Sequence, residues 1–166
     1  MNDQDVRKSL VTGSVPAEDL DGPPSNQMGS YCSLFDPAGA EALGRRLAEA
    51  LKPHTPTLVI IWEDVENSVL AHIVARELGV KALRVVDASG VLDFDGAFGS
   101  ADRAVIVADA FRTDFPINAM RALTEQHGGR VVALGALMST PALTEAAADA
   151  SVTALWPMAG EETATS

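Results

Sequence analysis

Three stretches of this chain are apolar without alternation: 57–62 (TLVIIW), 103–108 (RAVIVA) and 130–138 (RVVALGALM). A strand with one wet face alternates apolar and polar residues. These runs do not, so they read as strands covered on both faces, the condition of a parallel sheet between helical layers. Parallel strands need long crossovers, and the intervening segments have helical character.

Asp36-Pro37 opens the first helix, with Asp as N-cap and Pro at the first helical position. The helix is expected to run to about Lys52, with Leu43, Leu47 and Leu51 on one stripe, and Pro53 and Pro56 end it. A second helix is predicted from Ser68 to Leu78, with Val69, Ile73 and Leu78 inward and Gly79 at its C-terminal end. Residues 82–87 (ALRVVD) form the next strand. Residues 88–102 are Gly-rich and irregular, with a short strand or hairpin near Val91–Asp93. Pro116 to about His127 is a third helix, stopped by Gly128-Gly129. Thr140-Pro141 opens a short Ala-rich helix, and 151–156 form a last short strand.

The expected architecture is therefore an α/β domain over residues 31–156: a parallel twisted sheet with helices on both faces. Residues 1–30, polar and rich in Gly, Pro and Asp, read as a partly irregular arm with a short helix over Asp3–Leu10. Residues 157–166 read as a disordered tail. In such sheets ligands bind beyond the carboxyl ends of the strands, which points to loops 63–67, 87–102 and 109–116.

Charge narrows the partners. The formal net charge of −11 disfavours nucleic acid and anionic membrane surfaces, which need clustered Lys and Arg. No apolar run reaches the roughly 20 residues that span a bilayer. The N-terminus has acids where a secretory signal would be basic, so the expected location is cytoplasmic. The single cysteine, Cys32, excludes an intramolecular disulfide and a Cys-cluster metal site, and reads as a structural thiol. His54, His72 and His127 are isolated in sequence. Trp62 and Phe111 end strands on adjacent loops and would border one cleft, either as its aromatic wall or as ordinary packing.

The segment from Arg103 to Met138 carries the chemistry. Val105-Ile106-Val107 is followed by Ala108-Asp109, Ala110-Phe111, then Arg112-Thr113-Asp114-Phe115-Pro116 and a helix. Gly129-Arg130-Val131-Val132 begins the next strand. This order resembles the phosphoribosyl-diphosphate motif of type I phosphoribosyltransferases: an apolar run, two acids, a Thr-Gly-x-Thr loop opening a helix, then Gly-x-x-Val. The resemblance implies that Asp109 holds the ribose hydroxyls, directly or through magnesium. It also implies a phosphate position made by Arg112, Thr113, Asp114 and nearby amides at the helix start. Ala108 stands for the first acid, Asp114 for the glycine and Pro116 for the second threonine. On the residues alone, Asp109 reads equally as a solvated strand-end carboxylate and Asp114 as a helix cap.

Residues 60–86 have the layout of the same family's pyrophosphate segment, closing with Ala75-Arg76-Glu77-Leu78-Gly79. In its loop, Asn67 and Ser68 stand where the family has glycines, and Glu63, Asp64 and Glu66 crowd the same loop. Three carboxylates suit a pyrophosphate only through a divalent cation. The alternative is an acidic loop with Asn67 or Ser68 as the helix N-cap. Upstream, Ser25-Asn26-Gln27-Met28-Gly29-Ser30-Tyr31 before Asp36-Pro37 is similar to the orotate phosphoribosyltransferase branch, with Gln27 in place of its base-contacting Lys. The family's mobile catalytic loop carries Lys and His. Residues 87–102 carry neither, but hold Asp87, Asp93, Asp95 and Asp102.

The resemblance thus implies a phosphoribosyltransferase-like protein with altered sites: a non-catalytic binding, regulatory or partner-subunit protein. Its ligand would be a nucleotide or sugar phosphate, and it would act as a homodimer or a heteromer with a homologous chain. The alternative is an active orotate-type enzyme using magnesium, with phosphoribosyl diphosphate as donor to a nitrogenous base.

Overall fold

The computed structural model describes residues 37–138, 140–149 and 153–155. The arm 1–30 with its Asp3–Leu10 helix, the base-contacting segment 25–31, Cys32, the Asp36 cap and the tail 157–166 lie outside the described residues.

Four helices and six strands follow one another: α1 (Pro37–Leu51), β1 (Leu58–Trp62), α2 (Val65–Leu78), β2 (Lys81–Ala88), β3 (Val91–Phe94), β4 (Arg103–Ala108), α3 (Ile117–Gln126), β5 (Arg130–Ala136), α4 (Pro141–Asp149) and β6 (Thr153–Leu155). A 3-10 turn, Lys52–His54, links α1 to β1. All six strands form one sheet in the order β3-β2-β1-β4-β5-β6. β2, β1, β4, β5 and β6 pair in parallel, and β3 folds back antiparallel on β2.

The unbroken apolar runs are explained by two cores. Val59, Ile61, Val105, Val107 and Ala133 face Leu43, Leu47 and Leu51 of α1 and Leu70, Ile73 and Val74 of α2. Leu58, Ile60, Ala104, Ile106 and Leu134 face Ile117, Met120 and Leu123 of α3 and Leu143 and Ala146 of α4. Successive strand residues feed opposite cores, so neither parity can be polar. Where α1 crosses α2 the backbones approach closely: a Cβ on Gly44 would meet Ile73 Cγ2 at 2.6 Å.

Two boundaries differ from expectation. Helix α2 begins at Val65, three residues before Ser68, because Asp64 caps it. β5 ends at Ala136; the Leu137 and Met138 N–H groups turn to the Asp109 carbonyl instead, each at 3.0 Å. In residues 88–102 the expected short hairpin forms, with β3 at Val91–Phe94, and 95–102 hold no helix or strand. Ser89 (φ 59°) and Gly90 (φ 88°) both have positive φ, the two-residue turn that matches strand twist.

All four acids of this segment are bonded within the chain. Asp87 accepts from Gly90 N–H (2.6 Å) and Asp93 from Phe94 N–H (2.8 Å). Asp95 accepts from Arg84 N–H (2.8 Å) and Nε (2.7 Å). Asp102 accepts from the Thr57 hydroxyl and Gly99 N–H, both at 2.8 Å, and lies 3.5 Å from Lys81 Nζ. Partial burial raises the pKa of Asp95 and Asp102, but these donors outweigh it and hold both carboxyls below the usual carboxylate range.

A folded-state pKa below the unfolded one stabilises the protein above the unfolded value, near pH 4, and the gain fades as pH falls through the folded value. Urea unfolding stability is therefore expected to fall with acidification below about pH 4.5. The Asp102→Asn variant should show a shallower fall. An unchanged slope in that variant would remove Asp102 from the account.

Candidate functional site

The carboxyl ends of β1, β2 and β4 bring the predicted loops together. At β1, Asp64 rather than Asn67 or Ser68 is the N-cap. Its Oδ1 accepts from Asn67 N–H at 2.6 Å and its Oδ2 from the Asn67 side-chain amide. The Ser68 hydroxyl donates to the Asp64 carbonyl at 2.6 Å. Capping by Asp64, three residues before Asn67, makes Asn67 the donor to the cap rather than the cap itself. Glu63 is exposed and accepts from Asp87 N–H at 3.2 Å, tying β1 to the end of β2. Glu66 lies in the first turn of α2, and its side chain lies outside what is described.

Asn67 is 1% exposed. Besides its bond to Asp64, its Oδ1 accepts from Asp109 N–H at 2.9 Å. One amide thus joins the loop after β1 to the loop after β4. Asp109 is itself buried, at 7% exposure, and is not the solvated carboxylate that a strand end allows. Its Oδ1 accepts from Ala110 N–H at 2.7 Å, and its carbonyl holds the end of β5. A carboxylate at this depth is tolerable only with such donors.

Beyond Asp109 the chain splits into a buried and an exposed part. Phe111 has no exposed surface and meets Phe115 edge-on, ring centroids 4.9 Å apart. It is core, not a cleft wall. Its carbonyl accepts from the Thr140 hydroxyl (2.7 Å), and that same oxygen accepts from Leu143 N–H (3.1 Å) to cap α4. Arg112, Thr113 and Asp114 are exposed on a turn closed by Phe115 N–H to the Arg112 carbonyl at 3.0 Å. Asp114 does not cap α3: Pro116 occupies the N-cap and no side chain bonds there. A cavity of about 280 Å³ opens beside this turn, with Arg112, Thr113, Pro116 and Asn118 on one side and Glu145 of α4 on the other.

Two roles were not visible in the sequence. Asn67 was read as a cap, but it bridges residues 42 positions apart. Thr140 announced itself as a cap, but its bond to Phe111 spans 29 positions. His72 is exposed on α2, and His127 packs edge-on to Phe94 at 5.3 Å.

Magnesium can be tested against the donors. Both Asp64 oxygens serve Asn67, the Asp109 carboxylate serves Ala110 N–H, and Glu63 serves Asp87 N–H. Among the described residues no three His, Cys, Asp or Glu side chains converge to hold a metal. As placed, these carboxylates do not fit a metal ion. Among the described residues no helix is long and apolar enough to cross a membrane.

No sequence model of a known protein family matches the chain, and no curated protein matches it. Solved structures do. Adenine phosphoribosyltransferase from Saccharomyces cerevisiae, complexed with an imino-altritol bisphosphate and adenine, superposes with a TM-score of 0.69 at 16% identity over 93% of this chain and 97% of that one. The Trypanosoma brucei enzyme, in complex with AMP, pyrophosphate and ribose-5-phosphate, gives 0.68 at 14% identity over 99% and 86%. UMP synthase from Leishmania donovani gives 0.65 at 16% identity, covering 93% of this chain and 35% of that one. The chain therefore has the type I phosphoribosyltransferase fold. Both adenine enzymes and a UMP synthase share it, so this likeness does not select the orotate branch.

Proposed function

We propose that this chain is a non-catalytic binding or partner-subunit protein built on the phosphoribosyltransferase fold. The observation that carries the reading is the commitment of its carboxylates: Asp64, Asp109 and Glu63 each accept hydrogen bonds from the chain itself. Phosphoribosyl transfer on this fold would need such acids for ribose and metal. The phosphate turn adds two obstacles. Pro116 has no N–H to offer, and Asp114 brings a second negative charge. Two unit charges 4 Å apart repel by about 1 kcal/mol in water and about 4 at an effective dielectric of 20.

What the turn keeps is Arg112 and Thr113 beside a cavity of about 280 Å³. They suit one phosphate of a nucleotide or sugar phosphate, the ligand class bound by the yeast and trypanosomal structures. In a heteromer, a homologous active chain would supply the missing chemistry; a homodimer would serve in binding alone.

Calorimetry with phosphoribosyl diphosphate and magnesium tests this. The wild-type chain is expected to show no binding tighter than roughly 1 mM. Restoring the motif with Ala108→Asp, Asp114→Gly and Pro116→Thr together is expected to strengthen binding at least about tenfold. Turnover by the wild-type chain, read as pyrophosphate release on adding orotate or adenine, would overturn the proposal in favour of an active enzyme with Asp109 on the ribose.

A further inference from the structure

The charges of this acidic chain are sorted along the strand axis. Parallel strands start at one edge of the sheet and end at the other. Lys81 opens β2, Arg103 opens β4 and Arg130 opens β5, with Lys52 in the turn before β1. Glu63 and Asp64 follow β1, Asp87 lies at the end of β2, and Asp109 follows β4. The amino-terminal edge thus gathers four cations on a chain of net charge −11, with Asp102 among them paired to Lys81 at 3.5 Å.

Two of these cations begin neighbouring strands. Arg103 and Arg130 are direct register partners on neighbouring strands, which lie about 4.8 Å apart. Register partners project to the same face, and like charges placed opposite one another repel. Among the described residues neither guanidinium has a carboxylate within ion-pair distance. Arg103 is anchored by Nε to the Thr55 carbonyl (3.0 Å) and by Nη2 to the His54 carbonyl (2.6 Å), so it cannot swing away. Asp102 does not relieve the pair, because its oxygens serve Thr57, Gly99 and Lys81.

Space exists for a relieving anion. A cavity of about 430 Å³ is lined by Ala101, Asp102, Arg103, Gly128, Gly129 and Arg130. Its glycine wall is required by packing. A Cβ on Gly129 would strike Phe98 Cζ at 2.5 Å, and Gly128 has φ +83°.

The geometry points to a second anion site at the amino-terminal edge of the sheet, where Arg103 and Arg130 together hold a small phosphate-bearing anion. The site is at the opposite end of the strands from the loops 63–67 and 109–116, and it does not depend on the function proposed for them. A planar guanidinium pair favours phosphate oxygens over a single point charge.

The test is a titration of the full chain, in low-salt buffer free of phosphate, with inorganic pyrophosphate and separately with ribose 5-phosphate. Amide resonances of Gly128 and Gly129 and the melting temperature are followed. Saturable shifts at both glycines are expected, with a rise in Tm. Arg130→Gln should weaken binding by about tenfold or more, and should itself melt no lower than the wild type without ligand, because a repulsion is removed. Arg45→Gln, at an exposed residue of α1 that belongs to neither end of the strands, should leave the Gly128 and Gly129 shifts unchanged. The stronger of the two ligands tells whether the phosphate is free or sugar-borne. Absence of saturable shifts at these glycines with either probe, an unchanged affinity in Arg130→Gln, or loss of the glycine shifts in Arg45→Gln would each overturn the site.

Discussion

Truncating Phe111 to Ala is expected to lower the unfolding free energy by about 3–5 kcal/mol, the range for a fully buried aromatic ring. For a chain of this size that is a fall of roughly 6–20 °C in Tm. The ring has no exposed surface, and its centroid lies 4.9 Å from that of Phe115 in an edge-on contact. It belongs to the core formed by β4, α3 and α4. The cavity left behind would sit directly under the Arg112–Phe115 turn. Urea unfolding should show a lower midpoint with an unchanged slope. A loss below about 1 kcal/mol would mean the ring lines an open cleft after all.

Asn67→Ala is expected to cost about 2–4 kcal/mol although it removes no apolar surface. The amide is buried and makes three bonds: its N–H and side-chain nitrogen to Asp64, and its Oδ1 to Asp109 N–H. Alanine keeps the first and loses the other two. It removes an acceptor from the buried Asp109 N–H and a donor from the Asp64 carboxylate, each a loss of roughly 1–3 kcal/mol. Hydrogen exchange at Asp109 and Ala110 should accelerate more than exchange in the centre of β1. Asn67→Asp should be worse at neutral pH than at acid pH, since two carboxylates then face each other until one takes a proton. Equal exchange rates in Asn67→Ala and wild type would show that the two loops are not held together by this amide. By contrast Arg112→Ala and Asp114→Ala, both exposed, should change stability by less than about 0.5 kcal/mol.

The fold was legible because burial on both faces writes itself into local sequence. The apolar runs at 57–62, 103–108 and 130–138 became β1, β4 and β5, and the Leu43-Leu47-Leu51 stripe became the buried side of α1. Errors fell at ends, where a side chain reaches across space. The start of α2 moved to Val65 because Asp64 outcompetes Asn67 and Ser68 as cap. Residues 88–102 looked irregular because a two-residue turn at Ser89-Gly90 leaves little pattern, and because Phe98 gains its order from distant partners. Its ring stacks on Phe94 at 4.8 Å and lies close to Gly129.

The candidate site divides in the same way. Loops 63–67 and 109–116 do follow the carboxyl ends of β1 and β4, since topology dictates where parallel strands deliver their carboxyl termini. The departures at Ala108, Asp114 and Pro116 are plain in the residues. The state of the acids was not. Asp109 could have been solvated or buried, and only its neighbours decide: Asn67 from α2, and the N–H groups of Leu137 and Met138 from beyond β5.

By itself, then, the sequence determined a parallel α/β sheet, the order of its elements and which loops follow the carboxyl ends of the strands. Those properties follow from periodicity and turn chemistry, which act over a few residues. Tertiary structure alone decided which carboxylates are spent inside the protein and which cations begin neighbouring strands. Asn67 meets Asp109, and Arg103 comes into register with Arg130, through pairing and packing between segments far apart in the chain. Hydrogen bonding and charge are satisfied by whatever is near in space, and nearness of that kind exists only after the sheet has formed.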